Sequence, residues 1–131
     1  MDAMTRQEED QITGLFEAYA SGFDDFDADA VADHFAYPCT IWQFGKGNVF
    51  ADREELLENV EALLSVYEHE EIVHSAFQVI EKVLTGNVAM VTLEWQQERE
   101  DGDVALEFIC HYALIESPEG WAIATVFNED P

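Results

Sequence analysis

The chain has 131 residues, of which 48% are hydrophobic and 12% aromatic, as expected for one domain built around one core. It carries 29 acidic residues against 5 lysines and arginines, a formal net charge of -24. This charge would repel a phosphate backbone or an anionic bilayer, which excludes nucleic acid and membrane surfaces as partners. No apolar stretch approaches the roughly 18 to 20 residues of a membrane-spanning helix. The polar segment 1–10 does not have the pattern of a signal peptide.

The two cysteines are too few for a disulfide framework. Cys39 and Cys110 both lie in apolar, strand-like runs, so we expect buried free thiols and a cytoplasmic protein. The acidic excess has two interpretations. It is an adaptation to a saline cytoplasm or a cationic partner, or it is a surface that only keeps the protein in solution.

The N-terminal half predicts three helices. Apolar residues spaced by three and four over residues 7–22 indicate an amphipathic helix that ends at Gly22. Asp27 is the N-cap of a short second helix that continues through Phe35 and is stopped by Pro38. Asp52 caps a third helix, whose buried face carries Leu56, Leu57, Val60, Leu63, Leu64 and Tyr67.

Two short strands lie between the second and third helices, and four long strands follow. The β-branched and aromatic run 39–44 predicts the first short strand, and a turn at 45–48 leads to the second at 49–50. Short glycine-containing connections then join strands into an antiparallel meander at residues 72–84, 88–98, 104–115 and 121–128. The predicted fold is a single α+β domain over residues 1–131. A curved antiparallel sheet wraps around three helices to form a cone with an internal pocket.

This element order resembles the nuclear transport factor 2-like superfamily, which includes ketosteroid isomerases, polyketide cyclases and SnoaL-like proteins. The supporting segments are GLFEAY at 14–19, DADAVADHF at 27–35, DREEL at 52–56 and GWAI at 120–123. The resemblance implies the fold and, as an expectation, a homodimer. It implies little about chemistry, because this superfamily hosts enzymes and non-enzymes alike. We expect that dimer to form through the outer sheet face, with Ile109, Ala113, Ala122, Ala124 and Val126.

The isomerase branch implies a mechanism that can be compared residue by residue. Its oxyanion donor is a tyrosine on the first helix, and Tyr19 matches that position. Its proton shuttle is an aspartate at the end of the first strand, where this chain has Gln43. Its protonated acid on the third long strand corresponds to Tyr112, or to His111 if the turns differ by one residue. Neither is a carboxylate, so the resemblance does not extend to isomerase chemistry by that mechanism.

The remaining residues predict a pocket for an apolar or aromatic small molecule. Tyr19, His111 and His74 are the candidate acid–base residues, since histidine titrates near neutrality. Burial logic turns the even residues of 106–114 inward and leaves His111 outside, although a polar pocket would permit the opposite orientation. The candidate ligand-binding residues, each of which is equally explained as core, are Trp42, Gln43, Phe44, Trp95, Tyr112 and Asn128.

No motif for a cofactor, metal or covalent nucleophile is present. Asp25, Asp27 and Asp29 imitate the start of a calcium loop, but Ala30 and Ala36 occupy the positions that need glycine and glutamate. Three functions therefore remain open. The first is a SnoaL-like pocket protein that binds without chemistry. The second is a cofactor-independent isomerase, cyclase or dehydratase that uses Tyr19 with a pocket histidine. The third is a dimeric interaction domain whose pocket is filled.

Overall fold

A computed structural model describes residues 6–129. The first half of the segment 1–10, which we expected not to be a signal peptide, lies outside this range. Within it, no helix combines the length and apolar character needed to cross a bilayer. The elements in chain order are α1 (Arg6–Asp24), α2 (Ala28–Ala32), β1 (Phe35–Gln43), β2 (Lys46–Phe50), α3 (Arg53–His69), β3 (Ile72–Thr85), β4 (Val88–Arg99), β5 (Val104–Ser117) and β6 (Gly120–Asn128).

The six strands form one open sheet in the order β2-β1-β6-β5-β4-β3. Strands β3 to β6 form the predicted antiparallel meander, and β1 and β2 form an antiparallel hairpin. The pairing of β1 with β6 is parallel, so the sheet is mixed rather than wholly antiparallel. The sequence patterns missed this pairing because α3 and the meander separate the two strands, and no hairpin links their directions.

The helices cover one face of the sheet, which we call the inner face. On β4 it carries Ala89, Val91, Leu93 and Trp95, all buried, and on β5 it carries Cys110, Tyr112 and Leu114. These residues pack with the apolar stripe of α1 in one core. The prediction that even-numbered residues of β5 turn inward is therefore confirmed for the buried part of that strand. The opposite, outer face exposes Trp42, Val83, Met90, Ile115 and Phe127.

The two predicted helix caps are confirmed. The Asp27 carboxylate accepts a hydrogen bond from the Ala30 amide at 3.1 Å and begins α2. The Asp52 carboxylate accepts one from the Glu55 amide at 3.0 Å, and the Glu55 carboxylate accepts one from the Ala51 amide. Such caps satisfy amides that have no partner within the helix, so these aspartates set where the helices start.

Three predicted boundaries were wrong. Helix α1 continues past Gly22 to Asp24. Gly22 allows α2 to pack closely instead of ending the helix, because a Cβ there would lie 3.0 Å from Val31 Cγ2. Helix α2 ends at Ala32, and β1 already begins at Phe35. Pro38 lies inside β1, between Phe35 and Thr40, where the register with β6 shifts and no ladder hydrogen bond needs its missing amide.

The turn between β1 and β2 was predicted at residues 45–48 and begins one residue earlier in the structure. Gln43 pairs with Lys46, which leaves Phe44 and Gly45 as a two-residue loop. Both have positive φ, 54° and 71°, as a type I′ hairpin turn requires. Phenylalanine rarely adopts this conformation, so Phe44 is held in a strained backbone position at the end of the sheet.

Candidate functional site

A cavity of about 780 Å³ lies between α1, α3 and the inner face of the sheet. Most of its lining is apolar or aromatic, with four amide residues and three glutamates at its border. Among the described residues, no lysine, arginine or histidine belongs to the lining. The lining is formed by Tyr19, Phe23, Ile41, Gln43, Phe44, Asn59, Ala62, Leu63, Val66, Tyr67, Glu94, Trp95, Gln97, Leu106, Glu107, Phe108, Ile109, Cys110, Tyr112, Asn128 and Glu129.

The cavity opens where the sheet loses one of its strands. β6 ends at Asn128, opposite Cys110, while residues 104–109 of β5 continue with no β6 residue in register. The Glu129 amide donates to the Ile109 carbonyl at 3.0 Å and closes the last step of this pairing. Phe44, Val66 and Leu106 line the cavity and are exposed, with Phe44 at 69%. The entrance is therefore apolar, which favours an apolar ligand.

Tyr19 contributes an aromatic wall from α1. Its ring centroid lies 5.1 Å from that of Phe23, 6.1 Å from that of Trp95 and 6.4 Å from that of Tyr112. Within residues 6–129, no group forms a hydrogen bond with its hydroxyl in the structure. Burial raises the pKa of Tyr19 far above its ordinary value. The hydroxyl is therefore a neutral donor at physiological pH, and no group in the described part of the chain accepts its proton.

Two side-chain pairs hold the rest of the predicted lining in place. The Trp95 indole N–H donates to the Tyr112 hydroxyl at 2.8 Å. The Cys110 thiol donates to the Asn128 side-chain oxygen at 2.6 Å. Burial raises the pKa of Cys110 to about 12 and that of Cys39 to about 11. Both cysteines are free and buried, as predicted. They stay protonated near neutrality, which makes them poor nucleophiles.

Gln97 is a polar group that the sequence analysis missed. It lines the cavity, is 3% exposed, and donates from Nε2 to the Tyr67 hydroxyl at 3.0 Å. Its Oε1 is buried without any hydrogen-bond partner. A signal was present: the inward positions of β4 before it, from Ala89 to Trp95, are all apolar, and Gln97 continues this face. Tyr67 was predicted only as core.

Gln43, Phe44, Trp95, Tyr112 and Asn128 line the cavity, and Trp42 does not. Trp42 pairs with Phe127 and Gly47 on the outer face, where its indole lies over Gly47. A Cβ on Gly47 would come within 2.8 Å of that ring. Trp42 lies outside the lining because alternation along β1 points Cys39, Ile41 and Gln43 inward instead.

Neither candidate histidine reaches the cavity. On the outer face, His111 Nδ1 lies 3.0 Å from the Thr92 hydroxyl, and Nε2 lies 2.5 Å from a Glu129 carboxylate oxygen. His74 is at the β3 edge, where its side chain is 55% exposed and Nδ1 lies 2.8 Å from Asp24. These positions correct the expectation that a histidine and Tyr19 converge on one substrate atom, which acid–base catalysis by that pair would need.

The histidine ring that contacts Tyr19 is that of His34, and the two ring centroids lie 6.3 Å apart. Burial lowers the pKa of His34, against an opposing effect of Asp33. His34 is not among the residues that line the cavity. The polar groups that line it are therefore hydroxyls, amides and a thiol, whereas the carboxylates of Glu107 and Glu129 bond Gln96 and His111 on the outer face. Within the described range, no group of acidic, histidine or cysteine side chains is arranged to hold a metal ion.

Comparison with solved structures supports the fold. The chain matches an NTF-2 like protein of unknown function from Shewanella oneidensis with a TM-score of 0.74, 19% identity, and coverage of 93% of this chain and 98% of that chain. A protein from Novosphingobium aromaticivorans, provisionally described as an aromatic ring hydroxylase, matches with a TM-score of 0.73 and 17% identity. The match covers 97% of this chain and 91% of that chain. An NTF2-like protein from Streptomyces avermitilis, provisionally described as a dehydratase, matches with a TM-score of 0.70 and 14% identity. The match covers 95% of this chain and 96% of that chain.

At these identities, the solved structures establish a shared fold and nothing about activity. No curated protein sequence matches the chain. A family model described as "NTF2-like protein (DUF6841)" matches residues 8–131, which is nearly the entire chain. That match agrees with the order of helices and strands and with the cavity beneath the sheet. The chain therefore belongs to the NTF2-like DUF6841 family.

Proposed function

We propose that this protein binds an apolar or aromatic small molecule in the cavity between α1, α3 and the inner sheet face. The observation that carries the proposal is the cavity itself, about 780 Å³ with an aromatic wall and an apolar entrance. Small-molecule sites typically have this volume, a mostly apolar lining and a few polar groups that fix orientation. Tyr19, Gln97 and Asn128 are such groups here.

Binding without acid–base chemistry is favoured over the isomerase, cyclase or dehydratase alternative. His111 and His74 are both engaged with carboxylates away from the cavity. Burial raises the pKa of Tyr19, so its hydroxyl can donate a hydrogen bond but does not act as a base. The filled-pocket interaction domain is disfavoured by the open space among the lining residues. Two solved structures of the same fold carry provisional hydroxylase and dehydratase descriptions, which fit cavities that accept small molecules.

A thermal-shift screen against flat polycyclic compounds tests this proposal. A compound that binds only the native state raises the unfolding midpoint in a dose-dependent way. Ala62→Trp places a large ring in the cavity and should abolish that shift. Ala51→Trp is the matched control, since Ala51 is exposed and outside the lining. Equal shifts in both variants would place the ligand elsewhere and contradict the proposal.

We also propose that two copies associate through the outer face. In the register of the sheet, His111 faces Phe127, and Phe127 faces Trp42, while Met90 and Ile115 are exposed farther along the same face. An apolar surface of this kind is unusual on a chain with 29 acidic residues. Sedimentation equilibrium should show a dimer that Phe127→Glu converts to monomer, whereas Val73→Glu, at an exposed site on the β3 edge, leaves it intact. A monomeric wild type at micromolar concentration would contradict this.

A further inference from the structure

We infer that the cavity selects a ligand that presents a hydrogen-bond acceptor, such as a carbonyl oxygen, to the side-chain amide N–H of Asn128. This inference rests on the proposed ligand-binding function and assigns the chemical class of the ligand. Two features carry it: an amide donor whose orientation the protein fixes, and a cavity wall whose acceptors are already in use or enclosed.

Asn128 is the last residue of β6, and its side chain lies on the inner face. It stands opposite Cys110 in the register of the sheet, and Val126, two residues earlier, is also buried on this face. Its Oδ1 accepts a hydrogen bond from the Cys110 thiol at 2.6 Å. In the part of the chain that the structure describes, no group accepts from Nδ2, and Nδ2 is not fully enclosed by protein. Its N–H groups are therefore open to a ligand in the cavity that Asn128 lines.

The Cys110 thiol sets which end of this amide faces the ligand, because the two ends have the same shape and only their partners distinguish them. The Trp95 indole can only donate, so the Tyr112 oxygen accepts from it. The Tyr112 hydroxyl in turn hydrogen-bonds the Cys110 sulfur. The thiol, protonated near neutrality, donates its own hydrogen to Oδ1 of Asn128. This chain of donors leaves Nδ2 as the free end.

The acceptors of the inner wall are engaged or out of reach. The Tyr112 oxygen accepts from Trp95, and the Tyr67 oxygen accepts from Nε2 of Gln97. The Oε1 atom of Gln97 is enclosed by protein, so a ligand in the cavity does not contact it. The glutamates at the border of the cavity belong to the outer face of the sheet. A ligand that only donates hydrogen bonds therefore finds few partners on this wall.

Pairing decides affinity here because both partners leave water. A carbonyl group that enters an apolar cavity without a hydrogen bond loses free energy, and the N–H of Asn128 replaces the lost water. Since the thiol already holds the amide, little side-chain freedom is lost on binding. An amide that rotates freely at an exposed position does not have this advantage.

Two probes of nearly the same shape isolate the acceptor: acetonaphthone carries a C=O group where isopropenylnaphthalene carries a carbon–carbon double bond. The hydrocarbon is the more hydrophobic, so the quantity to compare between variants is the ratio of ketone affinity to hydrocarbon affinity. In calorimetric titrations of the full chain, Asn128→Leu should lower this ratio by about two- to tenfold, the usual worth of one hydrogen bond. Asn59→Leu is the matched control and should change the ratio less, since Asn59 also lines the cavity but is exposed on α3.

The positioning role of the thiol is tested with two substitutions of Cys110. Cys110→Ala frees the amide of Asn128 to rotate and should lower the ratio part of the way. Cys110→Ser keeps a donor at the same place and should hold the ratio close to that of the wild type. Circular dichroism checks that each variant is folded. In the wild type, the side-chain amide NMR signal of Asn128 should shift with acetonaphthone and shift less with the hydrocarbon.

Each result decides a different point. Equal changes of the ratio in Asn128→Leu and Asn59→Leu overturn the inference while leaving the ligand-binding function intact. An Asn128 amide signal that responds alike to both probes also overturns it. Equal ratios for Cys110→Ala and Cys110→Ser would overturn the role of the thiol. If neither probe binds, the proposed binding function fails and the inference fails with it.

Discussion

The two faces of the sheet are built from the same strands but have opposite properties. On β4, the inner positions Leu93, Trp95 and Gln97 are all buried, and the outer positions alternate with them. On the inner face, the Trp95 indole N–H donates to the Tyr112 hydroxyl in a buried pair. The outer face pairs Gln96 with Glu107 in an exposed contact. A hydrogen bond between side chains therefore contributes more to stability on the buried inner face than on the exposed outer face.

This contrast bears on which polar groups the proposed binding site could use. A polar atom left alone on the outer face is solvated by water at little cost. The lone Oε1 of Gln97 on the inner face has no such compensation. A polar group therefore reaches a ligand in the cavity only from the inner face, and His111 lies on the outer face.

The largest test of the contrast is packing. Leu93→Ala removes a fully buried side chain and should lower the free energy of unfolding by about 2–5 kcal/mol. Met90→Ala, on the same strand but 44% exposed, should change it by about 0.5 kcal/mol or less. Urea denaturation of both variants measures the difference. Equal losses would show that β4 does not have one buried and one exposed face.

The second test concerns the Tyr67–Gln97 pair. Tyr67→Phe leaves the Gln97 amide wholly unpaired and should destabilise the protein by about 1–3 kcal/mol. Tyr67→Phe/Gln97→Leu removes every polar atom of the pair and should restore stability to at least the wild-type value. Gln96→Leu, which breaks the exposed contact with Glu107, should cost about 1 kcal/mol or less. A double variant less stable than Tyr67→Phe would contradict this account.

The third test uses pH. The pKa of Cys110 is raised from its ordinary value of 9.0 to about 12, so the folded state favours the neutral thiol. This contribution is fully present below pH 9 and is lost as the pH rises from 9 towards 12, by about 1.4 kcal/mol per unit. Unfolding free energies from pH 8 to pH 11 should fall less steeply for Cys110→Ala than for wild type. Identical slopes would show that the thiol is not buried.

The smallest expected effect is at the rim, where Phe44 holds a positive φ of 54°. Phe44→Gly relieves about 1–2 kcal/mol of backbone strain. Glycine's extra unfolded-state entropy takes back about 0.5–1 kcal/mol. A net gain of up to about 1.5 kcal/mol is expected, together with weaker binding of the proposed ligand. Phe44→Ala, which loses the ring but keeps the strain, should weaken binding without the gain. Equal stabilities for the two variants would contradict the strain.

The local patterns predicted most of the fold. Apolar spacing predicted α1 and α3, Asp27 and Asp52 were correctly identified as caps, and alternation along β5 predicted that Cys110, Tyr112 and Leu114 face inward. The errors arose where a non-local contact decided the outcome. Pro38 stops no helix because it lies in an irregular part of β1. Val126, expected on the outer face, is buried because it pairs with Tyr112 on the inner face.

The cavity was less predictable than the fold. Five of the six predicted ligand-binding residues line it, but Trp42 does not, since both faces of β1 mix polar and apolar side chains and alternation alone does not choose between them. Gln97 escaped notice because its importance lies in a missing hydrogen bond, which depends on how Tyr67 of α3 packs against β4. Spacing along the chain carries no information about that contact.

The most direct test of the central claim is a methyl NMR titration of the full chain with naphthylmethanol. If the ligand binds beneath the inner face, the signals of Ile41, Leu63, Val66 and Leu106 should shift in a saturable way, because these residues line the cavity. Those of Val83, Met90 and Ile115 on the outer face should stay in place. Saturable shifts confined to the outer-face methyl groups, or no shifts at all, would contradict the account.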